Sequence, residues 1–116
     1  MEERLKVVDF EGFMEETGLD GETVKELYEV FVGEIGSERD KLFSLLSAGE
    51  FIKLAETVHN IKGISGSYGL QRVYREALEL GDLIKVNGRA GIEASLKKLE
   101  TLIDEAVSEI KNYYMI

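Results

Sequence analysis

No proline occurs anywhere in the 116 residues, and that absence constrains the fold more than any other feature. Proline's ring and missing N–H keep it out of helix interiors, so a chain without it is free to be helical almost throughout. The apolar residues agree. They recur at spacings of three and four, and no strict alternation runs long enough to suggest a strand. A short first helix is expected from Phe10 to Thr17, with Asp9 as N-cap and Gly18 as its stop. A second, from about Glu22 to Leu46, would bury Val24, Leu27, Tyr28, Phe31, Ile35, Leu42, Leu45 and Leu46, with Gly33 and Gly36 as places where it can bend.

Ser47 and Glu50 have capping-box spacing and open the third helix, which fades near Gly69. A fourth, from about Leu70 to Val86, turns Leu70, Val73, Ala77, Leu80 and Ile84 inward. Asn87-Gly88-Arg89-Ala90-Gly91 reads as a turn. The last helix, about Ile92 to Tyr113, offers Ile92, Leu96, Leu99, Leu102, Ile103, Ala106 and Ile110 to a core, while Tyr113 and Tyr114 read as terminal packing. Short connections make successive helices antiparallel neighbours. The expected fold class is therefore all-α: an up-and-down antiparallel four-helix bundle with a short additional N-terminal helix, a single domain over residues 1–116.

Composition narrows the function. A net charge of −9 argues against nucleic acid, which needs clustered Lys and Arg. No apolar run approaches the roughly 20 residues of a membrane span. The opening Met1-Glu2-Glu3-Arg4-Leu5-Lys6 is too polar for a secretory signal, which predicts a cytoplasmic protein. With no cysteine, disulfides, thiolate metal sites and a cysteine nucleophile are excluded.

His59 is the only histidine. On a helical wheel Phe51, Leu54, Val58, Ile61, Ser65 and Tyr68 cluster on one side of the third helix, and His59 lies far round from them. Its surface neighbours are Ile52, Ala55, Glu56, Lys62, Gly63 and Gly66. Each helical glycine costs about 1 kcal/mol against alanine. Gly63 and Gly66 fall on the outward side, where no neighbouring helix is expected, so their use is to let another protein's backbone reach the imidazole. Ile52, Ala55 and Gly66 are the expected docking patch. Lys62, one turn after His59, is placed to hold transferred phosphoryl oxygens, and neutral imidazole is abundant near neutral pH.

Other chemistries fit less well. Glu56-Thr57-Val58-His59 has the Glu-x-x-His spacing of bundle metal sites, but those need a second histidine and an inward face. Ser65 and Ser67 lie mostly away from His59, and nothing suggests an oxyanion hole. Gly63 to Gly69 lacks the strand and the Gly-Lys-Ser/Thr ending of a phosphate-binding loop.

The segment His59-Asn60-Ile61-Lys62-Gly63-Ile64-Ser65-Gly66-Ser67-Tyr68-Gly69-Leu70 resembles the signature of histidine-containing phosphotransfer (HPt) domains. That family includes modules appended to hybrid sensor kinases and the phosphoacceptor domain of chemotaxis kinases. The resemblance implies a phosphocarrier rather than an enzyme. His59 would take a phosphoryl group on its outer ring nitrogen from a receiver-domain aspartyl phosphate and pass it to another receiver's aspartate. Lys62 would stabilise the phosphoryl oxygens, Gly63 would keep the approach open, and Ser65 matches a small position that allows tight packing. Catalytic aspartates and Mg²⁺ belong to the receiver, so no cofactor of its own is implied. Partners would be receiver domains, a sensor histidine kinase, or both, meeting a monomer, with no nucleic acid or membrane involved. One position departs from the pattern. Many members carry Gln or Glu on the following helix to fix the ring's tautomer, and Gly81 stands there; Glu79, Asp82 and Glu56 are candidate substitutes, as are a water or a backbone carbonyl. The alternatives are a chemotaxis-type acceptor phosphorylated from ATP by a kinase domain, and a bundle that only binds partners.

Overall fold

A computed structural model describes residues 7–116. The polar opening Met1–Lys6, read above as unsuited to a secretory signal, lies outside the described residues. Among those described the chain is all-α, with five helices and no strand: α1 Phe10–Thr17, α2 Gly21–Ser47, α3 Phe51–Ser67, α4 Gln71–Lys85 and α5 Arg89–Tyr114. Each connection is three residues long.

The helix starts follow side-chain chemistry where it is present. Asp9 accepts from the Gly12 N–H at 3.0 Å and Asp20 from the Thr23 N–H at 2.7 Å. The Thr23 backbone N–H holds the Asp20 carboxyl below the usual carboxylate range. α1 ends at Gly18, in the left-handed conformation, as expected.

Two boundaries differ from the sequence reading. Ser47 and Glu50 form no capping box, because α2 continues through Ser47 and Gly49 turns left-handed at φ 70°. The Gly49 N–H then donates to Leu46 O and the Glu50 N–H to Leu45 O, both at 3.0 Å. The amide that Ser47 would have capped already closes the preceding helix. Arg89-Ala90-Gly91, expected in a turn, is the first turn of α5. Gly91 serves packing there, since a Cβ on it would sit 3.0 Å from Leu83 Cδ2.

α3 lies between α2 and α4, and α5 packs on both α4 and α2, so the long helices close a ring around one core. Its centre holds Tyr28, Phe31, Ile35, Leu42, Leu54, Ile61, Leu80, Leu96, Leu99 and Ile103, all fully buried. Such burial contributes about 1.5–3 kcal/mol per large side chain. Leu27, Leu45, Leu46 and Ile84, expected inside, are only partly buried against this core. Arg39 clamps Asp104 with two bonds of 3.1 and 2.8 Å, joining α2 to α5. Buried Glu76 joins α4 to α5, accepting from Ser95 Oγ at 2.7 Å with Lys98 Nζ at 3.2 Å. α1 folds over one end, where Phe10 stacks on Tyr113 at 3.9 Å and Tyr28 meets Phe10 and Phe13. No helix among the described residues is long and apolar enough to cross a membrane.

Candidate functional site

The rotational setting of α3 is fixed by what it buries. Leu54, Val58, Ile61 and Ser65 are inside, with Phe51 and Tyr68 partly so. The next residue after Val58 is turned about 100° out of that stripe, and His59 is exposed. The side-chain hydrogen bonds of α3 belong to Asn60, 3.5 Å from Glu38, and Ser67, which donates to Gly63 O at 3.0 Å. Among the described residues none reaches the His59 ring, so neither nitrogen is engaged by the protein itself. Ser65 Oγ is buried without a partner, consistent with a position chosen for size.

The ring stands on a ridge between two hollows. Toward α2, a broad depression of about 640 Å³ is lined by Gly33, Glu34, Ser37 and Glu38, with His59, Asn60, Gly63 and Ile64 on the α3 side. Toward α4, a small hollow of about 110 Å³ is lined by Ala55, Val58, His59 and Lys62 from α3 and by Ala77, Leu78, Gly81, Asp82 and Lys85 from α4. One flank is acidic; the other is mostly apolar, with two ammonium groups and the Asp82 carboxylate among its lining.

The expected site residues separate on this geometry. His59 and Lys62 come together at the α4-side hollow, and Ala55 reaches it. Gly63 faces open space, with nothing within 4 Å of where a Cβ would stand. Gly66 does not, because a Cβ there would lie 3.3 Å from the Tyr74 ring. The expectation that no helix lies over these glycines therefore holds for Gly63 and fails for Gly66, where α4 crosses close enough to lay Tyr74 on the α3 backbone. Ile52 is 80% exposed and is not part of either hollow's lining. Of the three acids considered as substitutes at the Gly81 position, only Asp82 lines the hollow beside His59. Glu56 and His59 have no further ligands gathered for a metal among the described residues.

Sequence reasoning missed Leu78 and Lys85 on α4, and Gly33, Glu34, Ser37 and Glu38 on α2. The inner stripe of α4 puts Leu78, Gly81, Asp82 and Lys85 on one flank of that helix, a signal available in the spacing. Which neighbour that flank faces is decided by the packing: position 66 lies against 74, and 58 against 81.

The arrangement suits a group that is delivered and collected by another macromolecule: an unbonded nucleophile on a convex ridge, with room beside it and a cation one turn away. Comparison with known proteins agrees. A family model, Hpt domain, matches residues 26–112, which takes in most of α2 and the whole site. Searches of curated proteins and of solved structures gave no match. The chain belongs to the Hpt domain family, the histidine phosphotransfer modules of phosphorelays.

Proposed function

We propose that His59 is the residue through which this Hpt domain carries the phosphoryl group. The observation that carries the reading is the exposed ring on α3, free of hydrogen bonds among the described residues and flanked by Lys62 and open Gly63. The lone pair of the outer ring nitrogen attacks phosphorus of an aspartyl phosphate on a receiver domain. A P–N bond forms as the P–O bond to the aspartate breaks, and the electron pair leaves with the carboxylate. The proton on the inner nitrogen stays, so the product is a phosphoimidazolium that can return the group to a second aspartate by the reverse step. Lys62 offsets charge on the three phosphoryl oxygens, which is where an ammonium acts in a loose transition state.

The domain works as a carrier. Carboxylates and Mg²⁺ that activate the group come with the receiver, and this chain supplies the nucleophile, a cation and access. Ala55 and Ile52 add apolar surface on the α3 side of the docking area; Gly66, under Tyr74, contributes by letting α4 lie close. We further read the ring of long helices as an up-and-down antiparallel four-helix bundle, one domain, monomeric and cytoplasmic. The opposed numbering across α3 and α4 supports that arrangement.

Incubation with receiver domains charged by acetyl phosphate tests the reading. Label should appear on the protein, be acid-labile and alkali-stable, and map by mass spectrometry to His59. Stable partner binding with no transferred label from any receiver or kinase would favour an interaction module instead.

A further inference from the structure

The glycines of the long helices differ in what requires them. Gly91 leaves room for Leu83 and Gly66 for Tyr74, contacts within the protein itself. Gly81 has no such reason. It sits in the interior of α4 with no left-handed φ, and a Cβ there would meet only Val58 Cγ1, at an ordinary 3.9 Å. Glycine is the poorer helix former at such a place, alanine would fit, and yet the space is left open beside the His59 ring. What keeps it open lies outside the free protein.

The hollow that results has a definite character. Ala55, Val58, Ala77 and Leu78 make its walls mostly hydrocarbon. Its volume of about 110 Å³ compares with the roughly 150 Å³ apolar cavity that admits benzene, so it matches a branched aliphatic group. At the edge stand Lys62 and Lys85, neither with an ion-pair partner among the described residues, and one carboxylate, Asp82, which leaves the edge with a net positive charge. On the opposite flank stand Glu34 and Glu38, the latter paired with Lys41 at 3.1 Å, which leaves a net negative charge. A protein bearing an aspartyl phosphate among carboxylates is favoured by the net positive edge on the α4 side over the net negative one on the α2 side.

We propose that the gap at Gly81 receives one aliphatic side chain of the docking receiver domain, anchoring the donor on the α3–α4 flank of His59. This rests on the reading of His59 as phosphoacceptor. The anchor is a single buried contact at the centre of the interface, the kind that dominates association energy, and the two lysines orient the donor's acidic site over the ring. Gly81 touches no reacting atom and acts through docking alone.

Two donors separate docking from chemistry. Phosphoramidate is small enough to phosphorylate His59 without a protein interface; a receiver domain charged with acetyl phosphate and Mg²⁺, selected because it discharges onto the wild type, needs one. Gly81→Leu fills the gap from within and should slow receiver transfer at least tenfold while phosphoramidate labelling stays within about twofold. Gly81→Ala, which takes up less of the space, should slow it less, and circular dichroism should show unchanged helix content for both. Wild-type receiver transfer in Gly81→Leu overturns the proposal. Equal loss with both donors also overturns it, since the gap would then serve the ring itself. So does slowing by Gly33→Leu with none by Gly81→Leu, which would put the anchor in the α2 hollow. If the wild type takes label from neither donor, the His59 reading fails first and this proposal falls with it.

Discussion

At the end covered by α1, aromatic rings crowd together: Phe10 stacks on Tyr113, and Tyr28 lies within about 6 Å of Phe10, Phe13, Tyr68 and Tyr114, measured between ring centres. Two to three turns back along α3 from Tyr68, which caps that helix, the side chains shrink. Ala55, Gly63, Ala77 and Gly81 surround His59, and the space they leave is open. The difference teaches how one small bundle divides its tasks. Bulky rings at the end anchor α1 and the end of α5 by burial. Small residues at mid-helix forgo contacts and leave open space beside one imidazole. Stability and access are placed in different regions, and so can be changed separately.

The largest test of that separation is His59→Gln. It should abolish phosphoryl labelling entirely and leave unfolding free energy within about 0.5 kcal/mol, because an exposed ring without bonds holds nothing together. A large loss of stability would mean that the ring belongs to the packing. The converse is Tyr28→Ala. Removing a fully buried ring should cost about 3–5 kcal/mol in urea denaturation, while transfer by the folded fraction stays normal. Transfer lost in proportion to stability would break the comparison.

Smaller effects sharpen it. Gly63→Leu should slow transfer from a receiver by about tenfold, near 1.4 kcal/mol in barrier, with circular dichroism unchanged; normal kinetics would contradict open access at that position. Lys62→Ala should shorten the phosphohistidine lifetime or slow transfer about three- to tenfold, and an unchanged rate and lifetime would remove its role. The least effect is expected of Tyr28→Phe. The Tyr28 hydroxyl is buried without a partner, so its loss should change stability by at most about 1 kcal/mol near neutral pH.

That last variant also has a pH signature. Burial, with Tyr114 and Asp9 nearby, pushes the Tyr28 phenol well above its ordinary value near 10. The folded state therefore keeps a proton that the unfolded chain loses. Stability is fully present below about pH 10 and falls as pH rises above it. Tyr68 and Tyr114 are pushed up by burial as well, in the same direction. Tyr28→Phe should flatten the alkaline limb of a stability-versus-pH curve, and an unchanged slope would show that Tyr28 ionises as freely folded as unfolded.

Much of this was legible in the residues. The bounds of α1 follow from Asp9 and Gly18, and Leu54, Val58 and Ile61 fix which way α3 turns, hence that His59 faces out. The boundary at Ser47 was misread because a capping box and a helix end use the same short polar residues; the choice between them depends on which helix claims the Glu50 amide. Gly66 was misread because outwardness on one helix does not say whether a neighbour's ring reaches over it. Leu78 and Lys85 went unnoticed because spacing shows a flank of α4 without showing what it faces.

Local rules, acting over one or two turns, were enough for the all-helical class, the buried stripes and the outward imidazole, because backbone geometry alone sets which positions share a face. Contacts between helices were decided by how Leu83, Tyr74 and the core side chains let those faces meet. Only that meeting brought Gly81 opposite Val58, put Lys85 beside His59, and gave the ring one flank of net negative and one of net positive charge.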